Sequence, residues 1–104
     1  MREDNEKLTA QQIVELNKEY TFFSWSVQGQ VKPIPVDKAQ GIYFWDTDGK
    51  KFLDFSSQLM NTNIGHQHPK VISAIKEQAE KLCFVHPGNA TEVRGLLGRK
   101  LAQV

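Results

Sequence analysis

At 104 residues the chain has room for one small domain and no more. Its formal net charge of +1, with acidic and basic residues interspersed, removes any electrostatic reason to expect nucleic acid or a membrane as a partner. No apolar stretch reaches membrane-spanning length, and a single cysteine, Cys83, rules out an internal disulfide and points to a reducing, cytoplasmic setting.

The charged opening, Met1 to Lys7, is followed by no apolar run of signal-peptide length. Leu8 to Tyr20 then reads as a short amphipathic helix. Thr9 and Gln12 have the spacing of a capping box, Leu8 and Ile13 that of a hydrophobic staple, and Ile13, Leu16 and Tyr20 share one face. From Thr21 to Ser26 the chain is aromatic without helical spacing, and Gln28-Gly29-Gln30 reads as a loop. Pro33 and Pro35 keep the next residues extended and unsuited to a central strand.

The clearest local signal is a β-hairpin. Ile42-Tyr43-Phe44-Trp45 runs out, Asp46-Thr47-Asp48-Gly49-Lys50 turns, and Lys51 to Phe55 returns, with Val36 to Ala39 as a third strand. Two amphipathic helices follow. Pro69 suits a first helical position with His68 as its cap, and Val71, Ile72, Ile75, Ala79 and Leu82 mark an apolar face. Thr91 is a good N-cap for the last segment, whose apolar face is Val93, Leu96, Leu97, Leu101 and Val104. That segment ends while still periodic, which reads as a chain cut within an element. The class expected is α+β: arm helix, small antiparallel sheet of a hairpin plus one strand, two helices.

Few residues offer chemistry. His66-Gln67-His68 with the distant His86 makes a three-histidine set, but Gly65 and Pro69 bracket the pair and no carboxylate or cysteine lies close in sequence. Loop and cap roles are the simpler reading. Cys83 with His86 is too closely spaced for a catalytic pair, and a buried small hydrophobe is expected at Cys83. Gly95 and Gly98 are expected to allow close packing of the last helix rather than to bind a phosphate. Turn chemistry accounts for Asp46 and Asp48, though not for Asp54. Phe55 to Gly65 mixes amides, hydroxyls and apolar groups without helix or strand period, as either an ordinary loop or a pocket lining does. The aromatics Phe22, Phe23 and Trp25 carry the same two readings.

The hairpin Gly41 to Phe55, of the form (Y/F)-x-x-D-x-D-G-x-x-(Y/F)-(I/L)-D-F, followed by Gly65-His66-Gln67-His68-Pro69, resembles the class III aminotransferases. Phe23 to Gly29 and Ser56 to Asn61 resemble the subgroup that transfers amino groups from ω-amino acids to pyruvate or a similar keto acid. The resemblance implies part of the small domain of a fold-type I enzyme, with residues 1–33 as helix and aromatic arm, residues 34–104 as partial small domain, and the catalytic large domain absent. It implies pyridoxal phosphate in the full-length homodimer, held by a lysine and other groups outside this chain, so that the chain alone binds no cofactor specifically and is inactive without its C-terminal portion. Carried over residue by residue, it makes Trp25, Leu59 and Met60 the candidate substrate-pocket walls, with Phe22, Phe23, Phe84, Val85 and His86 as weaker ones; no catalytic, cofactor-binding or metal residue is assigned. The competing reading is a free-standing, non-enzymatic interaction module with the same fold, docking through exposed apolar surface.

Overall fold

The computed structural model describes residues 7–104, so the charged opening Met1 to Glu6 lies outside the described residues. Two compact units are present, one ending at His68 and the other spanning Pro69–Val104.

The first unit begins with α1, Ala10–Tyr20, and the capping box is in place: the Thr9 hydroxyl accepts from Gln12 N–H, while Thr9 N–H donates to Gln12 Oε1 at 2.9 Å. At the other end the Gln28 side chain closes the helix. Its Nε2 donates to the carbonyls of Lys18 (2.8 Å) and Thr21 (3.0 Å), and its Oε1 accepts from Phe23 N–H (3.0 Å). The aromatic arm is thereby tied back onto the helix it leaves.

Strands β1 (Val36–Gln40), β2 (Tyr43–Asp46) and β3 (Lys51–Leu53) form an antiparallel sheet in that order, with a bulge in β1 between Val36 and Lys38. The β2–β3 turn uses its expected chemistry: Asp46 Oδ1 accepts from the N–H groups of Asp48 and Lys50, and Gly49 takes the left-handed φ of 84°. Phe44 lies opposite Phe52 and stacks on it at 5.0 Å. Tyr43 and Trp45 take the other face, where Lys51 Nζ sits 3.7 Å from the Tyr43 ring centroid.

Beyond β3 the chain departs from expectation. The stretch that showed neither helical nor strand period contains α2, Ser57–Met60, a single turn wound left-handed. Its four residues have φ of 53°, 49°, 57° and 64°. None is glycine, and each such residue costs about 1–2 kcal/mol against the right-handed form.

The second unit holds α3, Pro69–Lys81, and α4, Glu92–Leu101. Thr91 occupies the N-cap position of α4, but its side chain makes no capping hydrogen bond. Val104, counted on the periodic face, lies past the end of this helix. His68 Nδ1 finds no hydrogen-bond partner among the described residues, so that nitrogen caps nothing. Cys83 is exposed rather than buried: its Sγ donates to Ala79 O, and the apolar face it adjoins, with Val71 and Ile75, is itself exposed. A Cβ placed on Gly95 or Gly98 meets only open space, so no close neighbour requires either glycine here. None of the described residues is fully buried, and none of the described helices is long and apolar enough to cross a membrane.

Candidate functional site

The loop over residues 55–65 is closed at its base by backbone and side chain together. At one end Asp54 N–H donates to Ile42 O at 2.8 Å. At the other, His66 and Gly41 exchange two backbone hydrogen bonds, His66 N–H to Gly41 O at 2.8 Å and Gly41 N–H to His66 O at 3.0 Å. Gly65 permits this approach: it holds φ of 84°, and a Cβ there would sit 3.2 Å from Gly41 O. Across the base, His66 Nε2 and Asp54 Oδ2 are 2.7 Å apart. The Asp54 side chain is only 3% exposed and that of His66 13%. A loop with joined ends and internal hydrogen bonds is a common carrier of function.

Asp54 also reaches into the loop. Its Oδ1 accepts from Gln58 N–H at 3.3 Å and from the Ser56 hydroxyl at 3.4 Å, and its Oδ2 accepts from the Thr62 hydroxyl at 3.5 Å. The Ser57 and Thr62 hydroxyls share a further bond of 3.0 Å. Burial pushes the Asp54 carboxyl up, but the hydrogen bonds from His66 and Gln58 and the charge of His66 outweigh it and hold the group below its ordinary range. Neither Asp54 nor His66 was a candidate site residue from the sequence. The signal available was that Asp54, alone of the three hairpin aspartates, had no turn to explain it.

Of the sequence candidates, Leu59 and Met60 are neighbours on the left-handed turn and are 61% and 74% exposed. Trp25, on the arm, is 90% exposed and also left-handed, with φ of 62°. All three first-choice pocket residues thus occupy backbone that non-glycine residues seldom adopt. Phe22 is exposed, whereas Phe23 is half-buried in a hollow of about 210 Å³ shared with Ile13, Asn17 and Pro33. Phe84, Val85 and His86 belong to the second unit. Phe84 and Val85 line a hollow there with Leu82 and Val93, and His86 Nδ1 accepts from Gly88 N–H at 3.0 Å, shaping its own turn. Among the described residues, no three His, Cys, Asp or Glu side chains gather as metal ligands would.

Comparison with known proteins gives this geometry a family. The family model for class-III aminotransferases matches residues 25–104. The fold superposes, with a TM-score of 0.89 and 44% identity, on taurine:2-oxoglutarate aminotransferase from Bifidobacterium kashiwanohense, solved with PLP and glutamate, over 95% of this chain and 22% of that one. An S-selective transaminase from Arthrobacter sp., solved with alanine bound, matches at a TM-score of 0.74 and 32% identity over 83% of this chain and 18% of that one. The 4-aminobutyrate aminotransferase of Escherichia coli (strain K12) is 42% identical over 54% of this chain and 14% of its own length. The chain therefore spans a quarter or less of the length of the relatives it matches, and within that span it belongs to the class-III aminotransferases.

Proposed function

We propose that the chain forms one wall of the substrate pocket of an aminotransferase that moves an amino group from an ω-amino acid or amine to pyruvate or a similar keto acid. In this reading residues 1–33 are an arm, residues 34–104 are part of the small domain, and a C-terminal portion outside the chain supplies the catalytic lysine of a cytoplasmic homodimer. The observation that carries it is the shared state of Trp25, Leu59 and Met60: exposed, and all on left-handed backbone. Strained backbone persists where surrounding structure enforces it, and such enforcement clusters at ligand-facing sites. Apolar groups held outward in this way gain most when a substrate or another part of the enzyme covers them.

Pyridoxal phosphate, present in the B. kashiwanohense structure, would supply the electron sink for the reaction. The residues of this chain do not by themselves fit that cofactor. Nine of its ten lysines are exposed, and the half-buried one, Lys18, lies on α1, where its carbonyl serves the Gln28 clasp. No step of the reaction is assigned to them. The chain's own contribution is to pack against the substrate's carbon chain and to keep water from the reacting centre.

The relatives support the acceptor class in chemical terms, since glutamate and alanine, bound in two of them, are the aminated forms of 2-oxoglutarate and pyruvate. The test uses the whole enzyme, this chain with its C-terminal portion, given taurine, 4-aminobutyrate or ornithine against each of those keto acids. Formation of glutamate or alanine from at least one donor is expected, with Leu59→Ala or Met60→Ala reordering the donors. Absence of product from every pair would sink the reading.

A further inference from the structure

We propose that Asp54 is a positioning residue: clamped to His66 across the base of the 55–65 loop, it holds the left-handed turn that presents Leu59 and Met60 to the substrate. The inference rests on the reading that this turn walls the pocket, and it adds the device that keeps the wall in place.

Ser57 to Met60 include no glycine, asparagine or aspartate, the residues that enter left-handed backbone most readily, so local preference opposes the conformation observed. Something outside the turn must hold it. Its other bonds run only to immediate neighbours in the loop: Asn61 N–H (2.8 Å) and Thr62 N–H (3.0 Å) to Ser57 O, Met60 N–H to Ser56 O (3.2 Å), Asn61 Nδ2 to Gln58 O (2.9 Å), and the Ser57 and Thr62 hydroxyls to each other (3.0 Å); none reaches the sheet or the loop base. The Asp54 carboxylate provides that tie. It accepts from Gln58 N–H within the turn, from Ser56 before it, and from Thr62 after it, while its other bond, to His66, joins the two ends of the loop. Asp54 is anchored in turn by its own backbone N–H on Ile42 O, so the sheet, the loop base and the turn meet at one residue. Leu59 and Met60 make none of these bonds through their side chains, which leaves them outward and available. Removing the carboxylate frees Gln58 N–H and leaves Thr62 bonded only to Ser57, within the loop, so that the turn can relax toward right-handed or extended backbone, moving the two wall residues. Asp54 touches no substrate in this scheme. It acts through Leu59 and Met60.

The experiment compares wild type, Asp54→Ala, Leu59→Ala/Met60→Ala and the triple variant in the whole enzyme, using the ratio of kcat/KM for a two-carbon and a four-carbon ω-amino donor. Asp54→Ala is expected to change that ratio about tenfold, the scale of discrimination carried by a methylene-sized pocket contact. In the Leu59→Ala/Met60→Ala background the same substitution should leave the ratio unchanged, because the residues through which it acts are gone. Amide exchange at residues 57–62 should accelerate in Asp54→Ala, a readout independent of turnover. Should Asp54→Ala fail to fold, Asp54→Asn, which keeps the shape but leaves only one of the two side-chain positions able to accept, carries the test with a smaller shift in the same direction. An active wild type whose donor ratio and 57–62 exchange are untouched by the variant tested would overturn the positioning role. So would a shift of equal size in the Leu59→Ala/Met60→Ala background. A wild type without transaminase activity is a separate result, which removes the pocket reading beneath it.

Discussion

Replacing Leu59 by alanine and, separately, by glycine isolates the energetic cost of the left-handed turn. Both substitutions remove the same exposed leucine contacts, so their difference reports only what a Cβ costs at φ of 57° and ψ of 45°. In a right-handed helix the exchange of alanine for glycine costs about 1 kcal/mol. Here the sign reverses. Glycine escapes a left-handed penalty of about 1–2 kcal/mol but gives up about 0.5–1 kcal/mol of conformational freedom on folding. The glycine variant should therefore be the more stable of the two by about 0.5–1 kcal/mol, or about 4 °C in melting temperature for a unit of this size. Glu15→Ala and Glu15→Gly, an exposed pair within α1 of the same unit, supply the control and should show the ordinary order. Thermal melts followed by circular dichroism measure all four. If Leu59→Gly melts below Leu59→Ala by the same margin as the α1 pair, the turn is not left-handed and the account of the pocket wall collapses with it.

Gly65→Ala should destabilise the first unit by about 2 kcal/mol or more, since the added methyl meets Gly41 O at 3.2 Å on backbone already at positive φ; a melt indistinguishable from wild type would mean that the loop base is looser than described. Acidification should weaken the same base. The folded-state pKa of Asp54 lies below its ordinary value, so the stability it contributes is present above about pH 4 and is lost as pH falls through the folded value. Melting temperatures between pH 2 and 6 should show this loss in wild type and a shallower one in Asp54→Asn, and parallel profiles would count against it. Mixing the isolated chain with pyridoxal phosphate, followed by borohydride reduction and mass spectrometry, should give only scattered low-level labelling; a stoichiometric adduct at one lysine would place a cofactor site within this chain after all.

What could be read from the sequence was local. The Thr9–Gln12 capping box, the Asp48-Gly49 turn and the apolar spacing of α3 are each written in neighbouring residues, and each forms as expected. The third strand, Val36–Gln40, required only that an adjacent extended segment pair with the hairpin edge. The left-handed turn was hidden because its cause is not local: Ser57-Gln58-Leu59-Met60 carries no residue that favours positive φ, and the clamp joins residues twelve positions apart. The exposure of Cys83 was hidden for a related reason. Helical spacing reveals which face is apolar but says nothing of whether a neighbour covers it. Composition left the 55–65 stretch and the aromatic arm open to either a loop or a pocket reading, family resemblance singled out Trp25, Leu59 and Met60, and the structure adds to them a common backbone state.

The Gln28 clasp bears on how this part of the protein can be re-engineered. Because one side chain closes α1 and also fixes Phe23, the residues between those anchor points, Ser24 to Val27, form a cassette whose ends are held while its contents face outward. Helices often end on a left-handed glycine that reverses the chain. Here Thr21 caps Asn17 O, an amide supplied from downstream caps Lys18 O, and a tryptophan occupies left-handed backbone a few residues further on. Exchanging the cassette for other short sequences, with Gln28 retained, offers a way to vary the arm's outward face while leaving the helix and the sheet in place.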